Sequence, residues 1–175
     1  MKVVILMGGN SSRMGEDKAF VKYKGKSLFE RATQLAGSIS QEYYLSVSYQ
    51  QFEHLGHEYR CIPDETPDKG PLSGIASALR YLREDILAVP IDQPNLNSDL
   101  LNHLISAKKT SAFLTGNLIQ SLPSYWSYKD FKSIQEGIRQ NRLSLKSFFN
   151  ENQNLISFRG NRDVFMNINK PEDLE

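Results

Sequence analysis

Five apolar residues in a row, Val3-Val4-Ile5-Leu6-Met7, run directly into Gly8-Gly9 and then into Asn10-Ser11-Ser12-Arg13-Met14-Gly15-Glu16-Asp17-Lys18. The run is too short for a helix core and rich in β-branched residues, so it reads as a strand buried on both faces. The glycine pair ends the strand. Without side chains, Gly8 and Gly9 permit positive φ and let another molecule press on main-chain N–H groups, while Ser11 and Ser12 add hydroxyls and Arg13 and Lys18 add cations. That combination is the wall of a phosphate site. It is not a Walker A loop, because Gly15 is followed by Glu16 and the lysine comes only at 18; nor is it a Rossmann fingerprint, because no glycine follows Gly9 until Gly15.

The rest of the composition points the same way. A chain of 175 residues fits one domain, 1–175, with a core of ordinary size. Lys and Arg total 21 against 20 for Asp and Glu, and this net charge of +1 supplies no field for nucleic acid or an acidic membrane. A small-molecule partner is expected. The single cysteine, Cys61, cannot form an internal disulfide, and the N-terminal apolar run is too short for a signal peptide or membrane span, so a cytoplasmic protein is expected. Cys61 lies in the apolar run Tyr59 to Ile62 and reads as a small core residue.

Taken in order, the chain alternates strands and helices. Phe20 to Lys26 reads as a brief extended piece and turn, and Ser27 with Glu30 forms a capping box for a helix with Leu28, Ala32, Leu35, Ala36 and Ile39 on one face. Tyr43–Val47 is a second strand, with Ser46 or Ser48 at its end available to a nucleotide or simply exposed; Tyr59–Ile62 is a third, closed by Pro63-Asp64. Pro71 opens a helix at its favoured first position, with Leu72, Ile75, Ala76, Leu79 and Leu82 on one face and Ser73, Ser77 and Arg80 mostly off it. Asp85 to Asp92 is an apolar fourth strand ended by a carboxylate. Asn97 or Ser98 then caps a helix with Leu100, Leu101, Leu104 and Ile105 inward, on which His103 reads as a surface residue. Further on, Ser111–Thr115 and Ile119–Tyr125 flank a Gly116-Asn117 turn, helices carry Phe131, Ile134 and Ile138 and then Leu145, Phe148 and Phe149, and strands are expected at 155–158 and 164–168 before a last helix begins at Asn169.

This order predicts an α/β fold of three layers, α/β/α: a Rossmann-like, mainly parallel sheet with a mixed C-terminal portion. The ends of the first four strands then lie along one edge, where open α/β sheets place ligands, and Gly8 to Lys18, Ser46, Asp64 and Asp92 converge there. Residues 1–109 form a nucleotide-binding half, and the pieces after 110 are expected to build the other half of a cleft for a second substrate.

The opening stretch resembles the signature of nucleotidyltransferases of the molybdenum-cofactor guanylyltransferase type, L-A-G-G-x-S-x-R-M-G-x-D-K, with Met7 in place of alanine. Further segments follow in the family's order: Asp64, Gly70-Pro71-Leu72-Ser73-Gly74-Ile75, Val89-Pro90-Ile91-Asp92-Gln93-Pro94, and Phe165 to Leu174 with its Asn167-Ile168-Asn169. The resemblance implies transfer of GMP from GTP to molybdopterin, with or without bound molybdenum, giving molybdopterin guanine dinucleotide and pyrophosphate. It implies that Leu6, Met7, Gly8 and Gly9 meet the nucleotide through the main chain, with Ser12 beside them, that Lys18 and Arg13 meet its phosphates, and that Ser46, Asp64 and Gly70 lie on its base or ribose side. Asp92 would hold Mg²⁺, and Asn167 and Asn169 would lie near the reacting groups. Other molybdenum-cofactor biosynthesis proteins and acceptor molybdoenzymes are the further partners it implies. Ile91, Gln93, Lys170 and Ser46 depart from the family's usual residues. Two rivals stay open on residue types: a sister enzyme using CTP or a sugar phosphate, and a nucleotide-binding module without catalysis.

Overall fold

The apolar run at the start is strand β1 (Lys2–Leu6), and its alternation divides the interior into two layers. Val3, Ile5 and Met7 face one helical layer and Val4 and Leu6 face the other, and all five are buried. The protein is seen here in a computed structural model that describes residues 1–7, 18–67, 69–152 and 154–174. A 3₁₀ turn at Lys18–Phe20 leads into the small hairpin β2 (Lys22–Tyr23) and β3 (Lys26–Ser27), turned by Lys24 and Gly25, both at positive φ. Helix α1 (Leu28–Ile39) starts on the expected capping box, Ser27 Oγ accepting from Glu30 N and Glu30 accepting from Ser27 N.

Strand β4 (Tyr43–Val47) is followed by α2 (Tyr49–Leu55), β5 (Cys61–Pro63), α3 (Pro71–Leu82), β6 (Ile86–Pro90) and α4 (Ser98–Ala107). Then come β7 (Ser111–Thr115), β8 (Leu118–Trp126), α5 (Phe131–Arg139), α6 (Leu145–Asn152) and β9 (Leu155–Ser157). The sheet runs β5-β4-β1-β6-β8-β7-β9. β5, β4, β1 and β6 are mutually parallel, β8 alone runs against its neighbours β6 and β7, and β9 is parallel to β7. The chain after residue 110 therefore extends the same sheet from β6 outward. Leu28, Ala32 and Ala36 of α1 and Leu100, Leu101 and Leu104 of α4 pack on one face; Leu72, Ile75 and Leu79 of α3, Ile134 of α5 and Phe149 of α6 pack on the other. The expected three-layer α/β/α architecture is the observed one.

Four local expectations are corrected. Residues 164–168 are not a strand: Arg162–Phe165 is a 3₁₀ turn capped by Asn161, and the buried residues Phe165 and Ile168 lie three apart, a spacing that a period of two cannot place on one face. The final helix is a single 3₁₀ turn, Pro171–Leu174, with Asp173 accepting from Asn169 N and Lys170 N. Of the two serines offered at the end of β4 to a nucleotide or to solvent, Ser48 is exposed but Ser46 is buried; Ser48 also opens helix α2, which the sequence reading does not anticipate, its hydroxyl accepting from Gln51 N as the N-cap while Gln51 returns a bond to Ser48 N, a capping box legible as S-x-x-Q. Ser73 and Ser77, expected mostly off the apolar face of α3, are nonetheless buried, as is every residue from Leu72 to Leu79.

Asp85, just before β6, joins β6 to β8 at the sheet edge opposite the carboxyl ends of the parallel strands. It accepts from Tyr125 Oη (2.7 Å), Ser127 Oγ (3.2 Å) and Tyr128 N (2.8 Å). Burial opposes its charge, but these donors and the N-terminal ammonium outweigh that and hold the carboxyl below its usual range; the Tyr125 phenol is pushed up by burial and by the carboxylate. A lowered folded pKa means that the unfolded chain binds more protons, so this stability is present above the unfolded value near 3.9 and is lost as pH falls through the folded one. Asp85→Ala is expected to cost about 1–3 kcal/mol in urea unfolding at pH 7. The wild-type advantage should shrink below about pH 4, and an advantage independent of pH would contradict this account.

Candidate functional site

Four parallel strands end along one edge of the sheet, and each delivers a residue there. Leu6 aligns with Ser46 of β4 and with Pro90 of β6, and Ser46 aligns with Ile62 of β5. Asp64 and Asp92 therefore follow β5 and β6 at neighbouring heights. The sheet continues one residue past β1: Met7 N donates to Ser46 O (3.0 Å) and Ile91 N donates to Leu6 O (3.2 Å). The main-chain groups of Leu6 and Met7 thus hold the strand ends in register. Gly8, Gly9, Ser12 and Arg13 lie outside the described residues.

The strongest constellation joins three distant stretches of chain. Lys18 Nζ donates to Asp92 Oδ2 and to Asn169 Oδ1, each at 2.9 Å. The Lys18 and Asp92 side chains retain only 18% and 24% exposure, against 61% and 48% for the Arg80–Glu65 pair on the outer surface. Exposed pairs of the latter kind contribute about 0–1 kcal/mol, whereas a shielded, charge-assisted contact is roughly twice as strong as a neutral one. Asp92 is fixed from behind as well. Its carbonyl accepts from Ile168 N (2.8 Å), and Ile168 is fully buried, so burying that one side chain places Asn167 and Asn169 on either side of it at the surface.

Gln93, which in the sequence is only part of the turn beside Asp92 and a departure from the family pattern, completes this group. Its side chain is 7% exposed, Nε2 donates to Asn167 Oδ1 (3.2 Å), and Oε1 has no hydrogen-bond partner among the described residues. A polar residue directly after a strand-ending carboxylate is the signal that could have found it.

The second group surrounds the start of α3. Asp64 Oδ1 accepts from Thr66 N (3.1 Å), from Ser73 Oγ and, more weakly, from Ser77 Oγ (3.4 Å), while Ser77 Oγ accepts from Glu65 N (3.0 Å). These buried serines shape the loop after β5. Gly70, the α3 N-cap, has φ +70°, a conformation that side chains resist, so its place in the site is set by the turn. Ser46 is buried at 4% exposure and faces Gly74 so closely that a Cβ there would lie 2.5 Å from Ser46 Oγ. Cys61 is only half-buried, and burial pushes its thiol up, away from a reactive thiolate. His103 is exposed on α4, as expected.

Among the described residues no three acidic, histidine or cysteine side chains gather as a metal cage. Mg²⁺ does not need one, since it is commonly held by one or two carboxylates together with substrate phosphates and water. Asp92 Oδ2 and Asn169 Oδ1 are hard oxygen donors that already converge on one cation, the Lys18 ammonium. The donor set fits.

Residues 3–155 match the MobA-like NTP transferase domain. The chain belongs to that family. It is similar to a probable molybdenum cofactor guanylyltransferase of Peptoclostridium acidaminophilum, 28% identical over 189 aligned positions that cover 98% of this chain and 85% of the relative. A second relative of that name, from Flavobacterium johnsoniae, is 35% identical over 146 positions, 81% of this chain and 76% of its own. Among solved structures, the molybdopterin-guanine dinucleotide biosynthesis protein A of Archaeoglobus fulgidus superposes with a TM-score of 0.81 at 25% identity, covering 99% of this chain and 95% of that one. The 4-diphosphocytidyl-2C-methyl-D-erythritol synthase of Anaerococcus prevotii shares the fold, with a TM-score of 0.74 at 14% identity and coverage of 99% and 92%. This member of the MobA-like family is a nucleotidyltransferase.

The tight approach of Gly74 to Ser46 can be tested by coupling. Gly74→Ala adds helix propensity, favourable by about 1 kcal/mol, but drives a methyl into a buried hydroxyl, a clash of about 1–3 kcal/mol. Net destabilisation is expected for Gly74→Ala alone, and Gly74→Ala with Ser46→Ala should regain the parent's stability or exceed it. Additive effects of the two changes would show that the contact is not tight.

Proposed function

We propose that this protein transfers GMP from GTP to molybdopterin, with or without bound molybdenum, forming molybdopterin guanine dinucleotide and pyrophosphate. The observation that carries the reading is the meeting of Lys18, Asp92 and Asn169 at the carboxyl edge of the parallel strands, in a chain whose relatives bear the name molybdenum cofactor guanylyltransferase.

A phosphate oxygen of molybdopterin attacks the α-phosphorus of GTP in line, the bond to the β-phosphate oxygen breaks, and pyrophosphate leaves with the electron pair. The protein contributes position and charge. GTP lies across the strand ends, its guanosine toward Ser46, Asp64 and Gly70 and its phosphates toward Gly8, Gly9, Ser12, Arg13 and Lys18. The ends of β1 and β4, held in register by Met7 N on Ser46 O, form the floor on which the nucleotide rests. The cations of Lys18 and Arg13 stabilise charge that grows on the leaving pyrophosphate. Asp92, with Asn169 beside it, would hold Mg²⁺, which would neutralise phosphate charge and help orient the triphosphate. Asn167, held by Gln93, and Asn169 present amides to the acceptor phosphate. No side chain need act as a covalent nucleophile. We place the reaction in the cytoplasm, on a single cysteine that cannot form an internal disulfide.

Purified protein with Mg²⁺, GTP and molybdopterin is expected to release pyrophosphate and form the dinucleotide, whereas GTP without molybdopterin should turn over slowly because the nucleophile belongs to the second substrate. Asp92→Asn should fold normally and lose Mg²⁺-dependent release by at least about a hundredfold, as expected when a preorganised charge at a phosphoryl-transfer site is removed. Release driven by CTP instead of GTP would select a cytidylyltransferase. Tight GTP binding with no release under any of these conditions would leave a binding module.

A further inference from the structure

The ammonium of Lys18 stands where a divalent cation would be expected to bind. It lies 2.9 Å from Asp92 Oδ2 and 2.9 Å from Asn169 Oδ1, two oxygens brought together by residues 74 and 151 positions away in sequence. Both the lysine and the carboxylate are largely shielded from solvent. An ion approaching Asp92 in the nucleotide-free protein meets a carboxylate whose charge is already compensated, and must either displace the ammonium or accept a like charge a few ångströms away. The geometry supplies an alternative. Lys18 opens a 3₁₀ turn and carries its charge on a flexible four-carbon stem, so a triphosphate entering beside Asp92 offers its Nζ anionic partners that compete with Asp92 and Asn169.

We propose that Lys18 is a resident cation of the nucleotide-free site, exchanging from Asp92 and Asn169 to the triphosphate as the nucleotide enters and only then leaving Asp92 free for the metal. This inference rests on the nucleotidyltransferase reading of the site and adds to it an order of events: metal binds with or after the nucleotide, not before it. Lys18 thereby couples the two ligands. By reciprocity, nucleotide strengthens metal binding by the same factor as metal strengthens nucleotide binding, and a large part of that factor resides in one side chain. The arrangement also keeps Asp92 compensated whenever the site is empty, avoiding an unpaired charge in a part-buried position.

The test is metal binding without turnover, using Mn²⁺ alone as a paramagnetic stand-in for Mg²⁺ and electron paramagnetic resonance to count bound ion. The nucleotide-free wild type should bind Mn²⁺ weakly. Lys18→Met, which keeps the stem and removes the charge, should bind it about tenfold more tightly or better, as expected when a charge-assisted hydrogen bond no longer has to be broken. Adding Asp92→Asn to that variant should abolish the gain, locating it at this carboxylate. In the wild type a non-hydrolysable GTP analogue should raise Mn²⁺ affinity, and in Lys18→Met that enhancement should shrink. Lys18→Gln serves as the second variant, and thermal melting checks the fold of each. Nucleotide-free Mn²⁺ affinity unchanged in both Lys18 variants would overturn the proposal. A gain in Mn²⁺ affinity together with indifference to the GTP analogue would support the resident cation while refuting GTP as the nucleotide, so the two readings fail separately.

Discussion

One ammonium group holds together three parts of this molecule that the chain itself keeps far apart. Lys18 reaches Asp92 just past the end of β6 and Asn169 near the C-terminus, and those two lie side by side because the buried β1–β6 pair places Asp92 and the buried Ile168, bonded to the Asp92 carbonyl, places Asn169. Hydrophobic burial fixes the scaffold, at about 25 cal/mol per Å² of apolar surface, and polar contacts of far smaller net energy decide where the functional groups point. A shift of one residue in the β1–β6 register would turn Val4 and Leu6 toward the α1 layer and move Asp92 away from the strand end that meets Lys18.

The same division explains what the sequence disclosed. Strong periodic segments were legible: β4 and α1 fall where Tyr43–Val47 and the Ser27 capping box placed them, and β7 and β8 flank the expected Gly116-Asn117 turn. The start of α3 at Pro71 was equally plain, and of the two caps offered for α4, Asn97 and Ser98, the structure uses Asn97. Short segments failed where two periods compete. Val164 to Ile168 is apolar enough to suggest a strand, yet its inward residues are three apart and its main chain serves Asp92 instead of a ladder. Ser73 and Ser77 lie off the apolar face of α3 in the sequence pattern, and they are buried because Asp64 gives both hydroxyls an acceptor.

The candidate site was half visible for a related reason. Strand-end carboxylates and a glycine loop followed by lysine announce themselves by residue type and place, so Lys18, Asp92 and Asp64 could be singled out. Contacts between side chains distant in sequence leave no such trace. Nothing in the order of residues discloses that Gln93 steadies Asn167, that Gly74 must lack a side chain beside Ser46, or that Asp85 binds three groups at the far edge of the sheet. These are consequences of topology, which brings together what the alternation of strands and helices separates.

The proposed function requires this edge of the sheet to take a guanine nucleotide together with magnesium. The most direct measurement is the rise in melting temperature of the protein with GTP, CTP, ATP and UTP in turn, each with Mg²⁺ and at a fixed concentration. A ligand at 100 times its Kd stabilises by about 2.7 kcal/mol, which for a chain of this size raises Tm by about 5–11 °C. The largest shift is expected with GTP, and a smaller one when Mg²⁺ is withheld. A larger shift with CTP, equal shifts with all four nucleotides, or none with GTP would contradict it.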